Sequence, residues 1–199
     1  MYIIAGLGNP GSDYDNTRHN IGREIVVLLA NKKAKDLEVD AWKTDKKIKA
    51  EVATFEYGKQ KGKLVLPNTF MNLSGKAIGP LITSVKKAES LVVIHDDLDL
   101  PLGRFKIGFD RGSGGHKGVE SIIKNIKTRA FVRVRIGIST STPSGKIKKP
   151  QGEQVVQDFV LGHWKPKEEE ILKKVKKDVV DSLLVLLESG RMVAMNQFN

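Results

Sequence analysis

Apolar positions recur along the chain in short, separate runs, and the spacing within each run predicts its element. Tyr2 to Leu7 is almost wholly apolar and ends in glycines, as a buried strand does. Gly8 to Asn16 is turn-rich. Asn16 or Thr17 then caps a predicted helix reaching Asn31, with Ile21, Ile25, Leu28 and Leu29 facing inward. Ile48 to Phe55 alternates, which places Ile48, Ala50, Val52 and Thr54 on one face of a strand. Leu64 to Leu66 is a second strand, stopped by Pro67, and Leu73 to Val85 a helix despite Gly75 and Gly79. Leu91 to Ile94 is a buried strand with acids gathered where it ends. Arg104 to Phe109 and Val132 to Ser139 alternate again, with a helical Gly118 to Ile126 between them. Glu168 to Ser189 is the longest amphipathic segment, its stripe formed by Ile171, Val175, Val179, Leu183 and Leu186.

Strands and helices interleave throughout, which predicts an α/β sandwich around a mixed sheet. The 199 residues suit a single domain over 1–199 with a substantial core. There is no internal repeat and no clear linker. Thr140 to Gly152, rich in Ser, Pro, Gly and Lys, is the expected mobile loop.

Composition narrows the function. No run of about 18 apolar residues is present, so a membrane span is not expected. The opening residues lack a basic segment and a small-residue cleavage site, so they read as strand and turn rather than signal peptide. The chain has no cysteine, which excludes disulfides, thiolate metal ligands and a cysteine nucleophile, and is compatible with a reducing cytoplasm. Its net charge of +11 fits a polyanionic partner equally with a solvated lysine-rich surface. The Lys173 to Lys177 cluster follows Glu168 to Glu170 on the predicted helix, where the order of charges suits the helix dipole, so it reads as structural.

Several segments carry candidate chemistry. Gly6-Leu7-Gly8-Asn9-Pro10-Gly11 fits G-x-G-x-x-G after a strand, but polar residues follow where a phosphate-binding helix needs apolar ones. No acid-ended second strand follows either, so a dinucleotide site is disfavoured. His19 lies beyond that turn, and His95-Asp96-Asp97-Leu98-Asp99 closes another buried strand. Strand carboxyl ends are where sites gather in α/β sheets, and an Asp there can orient an imidazole as general base. The structural alternative is that His19 is a hydrogen-bonder and the acids cap turns or pair with lysines. The four histidines are scattered in sequence, so no compact metal site is expected. Ser113 and Ser74 both lack the nucleophile-elbow context, which favours direct attack by water. Phe70 and Met71 suit a groove or the core, and Asn72 suits a carbonyl contact or a helix cap. Gly112 to Gly118 can bring backbone amides to a ligand or serve as an ordinary turn.

Taken together, these segments resemble the bacterial-type peptidyl-tRNA hydrolase family. The resemblance is carried by Gly6 to Gly11 with Tyr14 and Thr17-Arg18-His19-Asn20, by Pro67 to Gly75, by His95 to Pro101, by Gly114 to Gly118, by Arg133 to Ile138, and by Phe159 to Gly162. The stretches come in the family's order and span most of the chain. What the resemblance implies is a twisted mixed sheet, and hydrolysis of the ester between a peptide and the 3′ end of tRNA. It further implies a cytoplasmic monomer working without metal or cofactor. By the same resemblance His19 is the general base, Asp96 holds and polarises it, and Asn9 helps select a peptide-blocked ester. Tyr14, Phe70, Met71 and Asn72 hold the 3′ end and adjoining peptide, and Lys106 and Arg135 take the 5′ phosphate. Lys117 departs from the family, which usually has Asn there. Lysine donates but cannot accept a hydrogen bond, so it is expected to grip the tRNA, to act on His19, or to face solvent. A relative that binds RNA without hydrolysing it is the alternative reading.

Overall fold

The structure, a computed structural model, describes residues 1–199 apart from Lys33 and Pro143. The described strands are β1 (Tyr2–Gly6), β2 (Leu37–Val39), β3 (Lys43–Asp45), β4 (Ala50–Tyr57), β5 (Gln60–Pro67), β6 (Leu91–Pro101), β7 (Phe105–Phe109), β8 (Val132–Ser141) and β9 (Ile147–Lys148). The α-helices are α1 (Ile21–Ala30), α2 (Ser74–Ile78), α3 (Val85–Ala88), α4 (Lys117–Ile126), α5 (Glu153–Leu161), α6 (Pro166–Ser189) and α7 (Arg191–Phe198). The strands form one mixed sheet in the order β2-β4-β5-β1-β6-β8-β7, with β3 on β4 and β9 on β8. Its centre, β5-β1-β6-β8, is parallel, and its margins are antiparallel.

Both faces of the centre are covered, which is why β1 is a continuous apolar run. Ile4, Val92 and Val134 enter one core with α1, α6 and Ala194 of α7. Ile3, Ala5 and Val93 enter the other, with α2 and α4. Ile48, Ala50 and Val52 share the face predicted for them and meet the second core, but Thr54, expected with them, is exposed; the intervening Ala53 and Phe55 enter the first core.

Other differences have local causes. The helix expected over Leu73–Val85 is interrupted at Gly79–Leu81, where Pro80 starts a tight 3-10 turn and Ile82 turns extended. The first helix is preceded by a separate 3-10 turn, Arg18–Asn20. The strand expected to stop at Ile94 continues through the acids to Pro101, because β8 pairs with it as far as Gly137 and Ser139. On α6 it is Leu172, 1% exposed, that faces the core, while Ile171 is exposed. Within the expected loop, Ser141 and Thr140 pair with β9 as a short hairpin. Pro143 of that loop lies outside the described residues. The glycine-rich turn after β1 serves packing: a Cβ on Gly6 would lie 2.4 Å from the Gly22 carbonyl oxygen. The glycine lets α1 approach the strand closely, and the turn after Gly8 leads into a 3-10 turn rather than a phosphate-binding helix.

Candidate active site

Three parallel strands, β1, β6 and β8, deliver their carboxyl ends to one edge of the sheet. Asp96 sits there, 2% exposed, and its Oδ1 accepts hydrogen bonds from two histidines. His19 Nδ1 lies at 2.9 Å and His116 Nε2 at 2.9 Å. Burial alone would raise the Asp96 pKa, but the two imidazoles and the hydrogen bonds they donate override it. The carboxyl is held well below the usual carboxylate range and stays ionised.

His116 is itself oriented by the chain. It is the N-cap of α4, and its Nδ1 accepts from the amides of Gly118 at 3.2 Å and Val119 at 3.3 Å. A ring nitrogen that accepts carries no proton, so Nε2–H is the donor toward Asp96. The ring of His95 meets His116 edge-on, 4.6 Å between centroids. His95 is fully buried and donates from Nδ1 to the Asp96 carbonyl at 2.6 Å. Burial first, and His116 second, push its pKa well below the ordinary histidine value, so its ring stays neutral.

His19 is placed by the residue before it. Arg18 is buried, and its Nη2 meets Glu168 Oε2 at 2.8 Å while Nη1 donates to the His163 carbonyl at 2.9 Å. Its guanidinium also lies over the rings of Phe159 and Trp164. The 3-10 turn bearing His19 is thereby fastened to the C-terminal helices. With Nδ1 given to Asp96, His19 keeps Nε2 for the adjoining crevice.

Asn9 is oriented by a second chain of contacts. Asn20, 2% exposed, binds both its backbone amide, at 2.8 Å, and its carbonyl, at 2.9 Å. The Asn9 Oδ1 accepts from the Met71 amide at 2.8 Å, which fixes which end of the side-chain amide is oxygen. Its Nδ2 donor is left for the crevice that Asn9 lines.

The crevice encloses about 770 Å³ and brings together Asn9, Tyr14, His19, Phe70, Met71, Asn72, Asp96, His116 and Lys117. Tyr14 and Phe70 pack edge to face at its mouth, 6.3 Å between centroids, with Phe70 55% exposed. Met71 is buried between crevice and core, and Asn72 is exposed. Helix α5 forms the opposite wall through Val156, Val160 and Leu161. Lys117 crosses the opening to Glu153 at the start of that helix, Nζ to Oε1 2.9 Å. Lys106 and Arg135 are directly opposed on β7 and β8, and Arg135 Nε reaches Asp97 Oδ2 at 2.6 Å.

The spacing of the histidines concealed their convergence, because His19, His95 and His116 come from three separate elements. The only sequence sign of His116 was the glycine-rich segment around it, which pointed to backbone amides instead. Donor atoms of His19, Asp96 and His116 lie within 4.8 Å of one another and are the group among the described residues that could hold a metal ion. Here both nitrogens are committed to the carboxylate. Ser113 bonds Glu120 at 3.1 Å and Ser74 bonds the Met71 carbonyl at 2.8 Å, so neither hydroxyl faces a histidine.

The family model described as peptidyl-tRNA hydrolase matches residues 3–199. The chain belongs to the peptidyl-tRNA hydrolase family. The peptidyl-tRNA hydrolase of Chloroflexus aggregans is 38% identical over 202 residues, covering 100% of this chain and 99% of that protein. That of Thermosynechococcus vestitus is 36% identical over 198 residues, covering 99% and 93%. The crystal structure of peptidyl-tRNA hydrolase from Acinetobacter baumannii superposes with a TM-score of 0.85 at 30% identity, covering 99% of this chain and 93% of that one. These hydrolases share the mixed sheet, and no helix among the described residues of this chain is long and apolar enough to cross a membrane.

Proposed function

We propose that this family member cleaves the ester joining a peptide to the 3′ end of tRNA, with His19 as general base. The observation that supports it most directly is the paired commitment of His19: Nδ1 to an ionised, buried Asp96, Nε2 to an open crevice. A water between Nε2 and the ester carbonyl gives up its proton to the ring as it attacks. Asp96 keeps the ring in register and stabilises the imidazolium that forms. His19 then returns the proton to the departing ribose oxygen.

The oxyanion needs a donor, and the Asn9 Nδ2 is the amide end aimed at the crevice. Asn72 adds a second polar contact near the opening. Tyr14 and Phe70 supply an aromatic surface on which the terminal base stacks, an interaction worth about 1–3 kcal/mol per base. Lys106 and Arg135 take the 5′ phosphate, and Lys117, already at the opening, exchanges Glu153 for a substrate phosphate. The reading carries with it a monomer in the cytoplasm, with no metal in the reaction.

Purified protein incubated in parallel with peptidyl-tRNA and free aminoacyl-tRNA tests the proposal. Hydrolysis of the first alone is expected, with His19→Ala slowing turnover by about 10²–10⁴-fold, the usual worth of a general base. Binding without turnover would instead favour the RNA-binding alternative, and wild-type turnover in His19→Ala would refute the mechanism.

A further inference from the structure

On β8 the even positions Val132, Val134, Ile136 and Ile138 enter the core, which sends Arg133 and Arg135 to the other face. Arg135 has Lys106 opposite it on β7, but Arg133 has Gly108, which offers no side chain of its own and leaves room for Arg111, whose Cγ would lie 3.6 Å from a Cβ at Gly108. Arg133 is 3% exposed, and among the described residues its Nε has no hydrogen-bond partner. The acid beside it, Asp97, is spent: Oδ2 is held by Arg135 and Oδ1 by the Asp99 amide at 2.7 Å.

Burial, Arg135 and Arg111 push the Arg133 pKa down to about 10, which still leaves it charged at neutral pH. A buried cation without a bound counter-charge is costly, and proteins normally pair one. Here three arginines and Lys106 stand against one carboxylate. The complement to such a cluster is an anion with several oxygens, because forked guanidinium donors match phosphate in shape as well as in charge.

We propose that Arg133, backed by Arg111, is a buried phosphate ligand extending inward from Lys106 and Arg135. It rests on the reading of tRNA as partner and deepens it, adding two residues to the site. The phosphate is a terminal monoester or an internal diester of the RNA. The terminal form carries close to two charges at neutral pH, so it gains more from a third cation.

Binding, measured without turnover, separates this proposal from the hydrolytic one. Fluorescence anisotropy would follow one tRNA in two forms, with a 5′-monophosphate and with a 5′-hydroxyl, at fixed salt. Arg133→Met should weaken the phosphorylated form by about 10–100-fold, the range for a charge-assisted hydrogen bond, and the hydroxyl form by less. Arg133→Lys should recover part of that loss. Equal weakening of both forms, with recovery by lysine, assigns the site to an internal phosphate. Equal weakening without recovery by lysine, or wild-type affinity in Arg133→Met, overturns the proposal. Should Arg133→Met fail to fold, the exposed Arg111→Ala decides: it should lower the salt dependence of binding by about one counterion, and an unchanged slope overturns the proposal.

Discussion

Arg18→Met removes a guanidinium while keeping most of the side chain's length, and its cost follows from what Arg18 touches. Its partner Glu168 is as secluded as it is, with side chains 7% and 12% exposed. Removing one member of a buried ion pair costs about 3–5 kcal/mol, because the other charge stays buried alone. For a chain of this size each kcal/mol moves the melting temperature by about 2–4 °C, so a fall of about 6–20 °C is expected. The diagnostic is the double mutant. Glu168 also accepts from the Lys165 amide at 2.8 Å, capping α6, and a glutamine in its place keeps that role through its carbonyl oxygen. Arg18→Met with Glu168→Gln therefore loses neutral contacts but strands no charge. It should melt above the single mutant, by the equivalent of at least about 1 kcal/mol. Thermal and urea unfolding of the two variants give the comparison. A double mutant no more stable than the single would show that the cost lies in lost packing on Phe159 and Trp164, and the ion-pair argument would fail.

Two further expectations concern the histidines. An ordinary histidine takes a proton below about pH 6.5, whereas folded His95 resists protonation until much lower. The unfolded chain therefore binds the extra proton. Stability from His95 is full above about pH 6.5 and falls by about 1.4 kcal/mol per unit as pH drops below it. Urea unfolding between about pH 6.5 and 5 should show a shallower decline in His95→Phe than in wild type, and equal slopes would sink the assignment. His116→Asn keeps a residue able to cap α4 but removes the donor to Asp96. Steady-state kinetics should show kcat down by about tenfold with KM little changed, the worth of one charge-assisted hydrogen bond. An unaffected kcat would confine His116 to capping.

The elements legible in the sequence were those whose pattern is local. β1, β7, α4 and α6 announce themselves by periodicity, and their boundaries moved by a few residues at most. What failed had non-local causes. Strand β6 runs through His95-Asp96-Asp97, acids that look like a terminus, because a parallel neighbour supplies the backbone hydrogen bonds, two histidines bond to the Asp96 carboxylate and Arg135 pairs with Asp97. Helices α5 and α7 are short and each buries one residue, Val160 and Ala194, with a few partly buried apolar neighbours, so their sequence signal is weak beside that of α6.

The same distinction runs through the site. His19 was legible because it lies past the turn that ends β1, and Asp96 because it follows the apolar run Leu91–Ile94, a pattern that marks where an α/β sheet gathers reactive groups even though β6 itself runs on. Their supports were not. Arg18 reaches Glu168 across 150 positions, and Asn9 reaches the Met71 amide across 62. Those supports are what make the reactive groups specific. An Asn9 side chain free to flip would present carbonyl or amide to the crevice with similar ease. Fixed by Met71 on one side and carried on a backbone clamped by Asn20, it presents the donor. A histidine on an unanchored turn would share its Nδ1 with solvent, whereas the turn fastened through Arg18 gives it to Asp96. The reactive residues set what chemistry the crevice can perform, and the distant polar contacts decide which atoms face it.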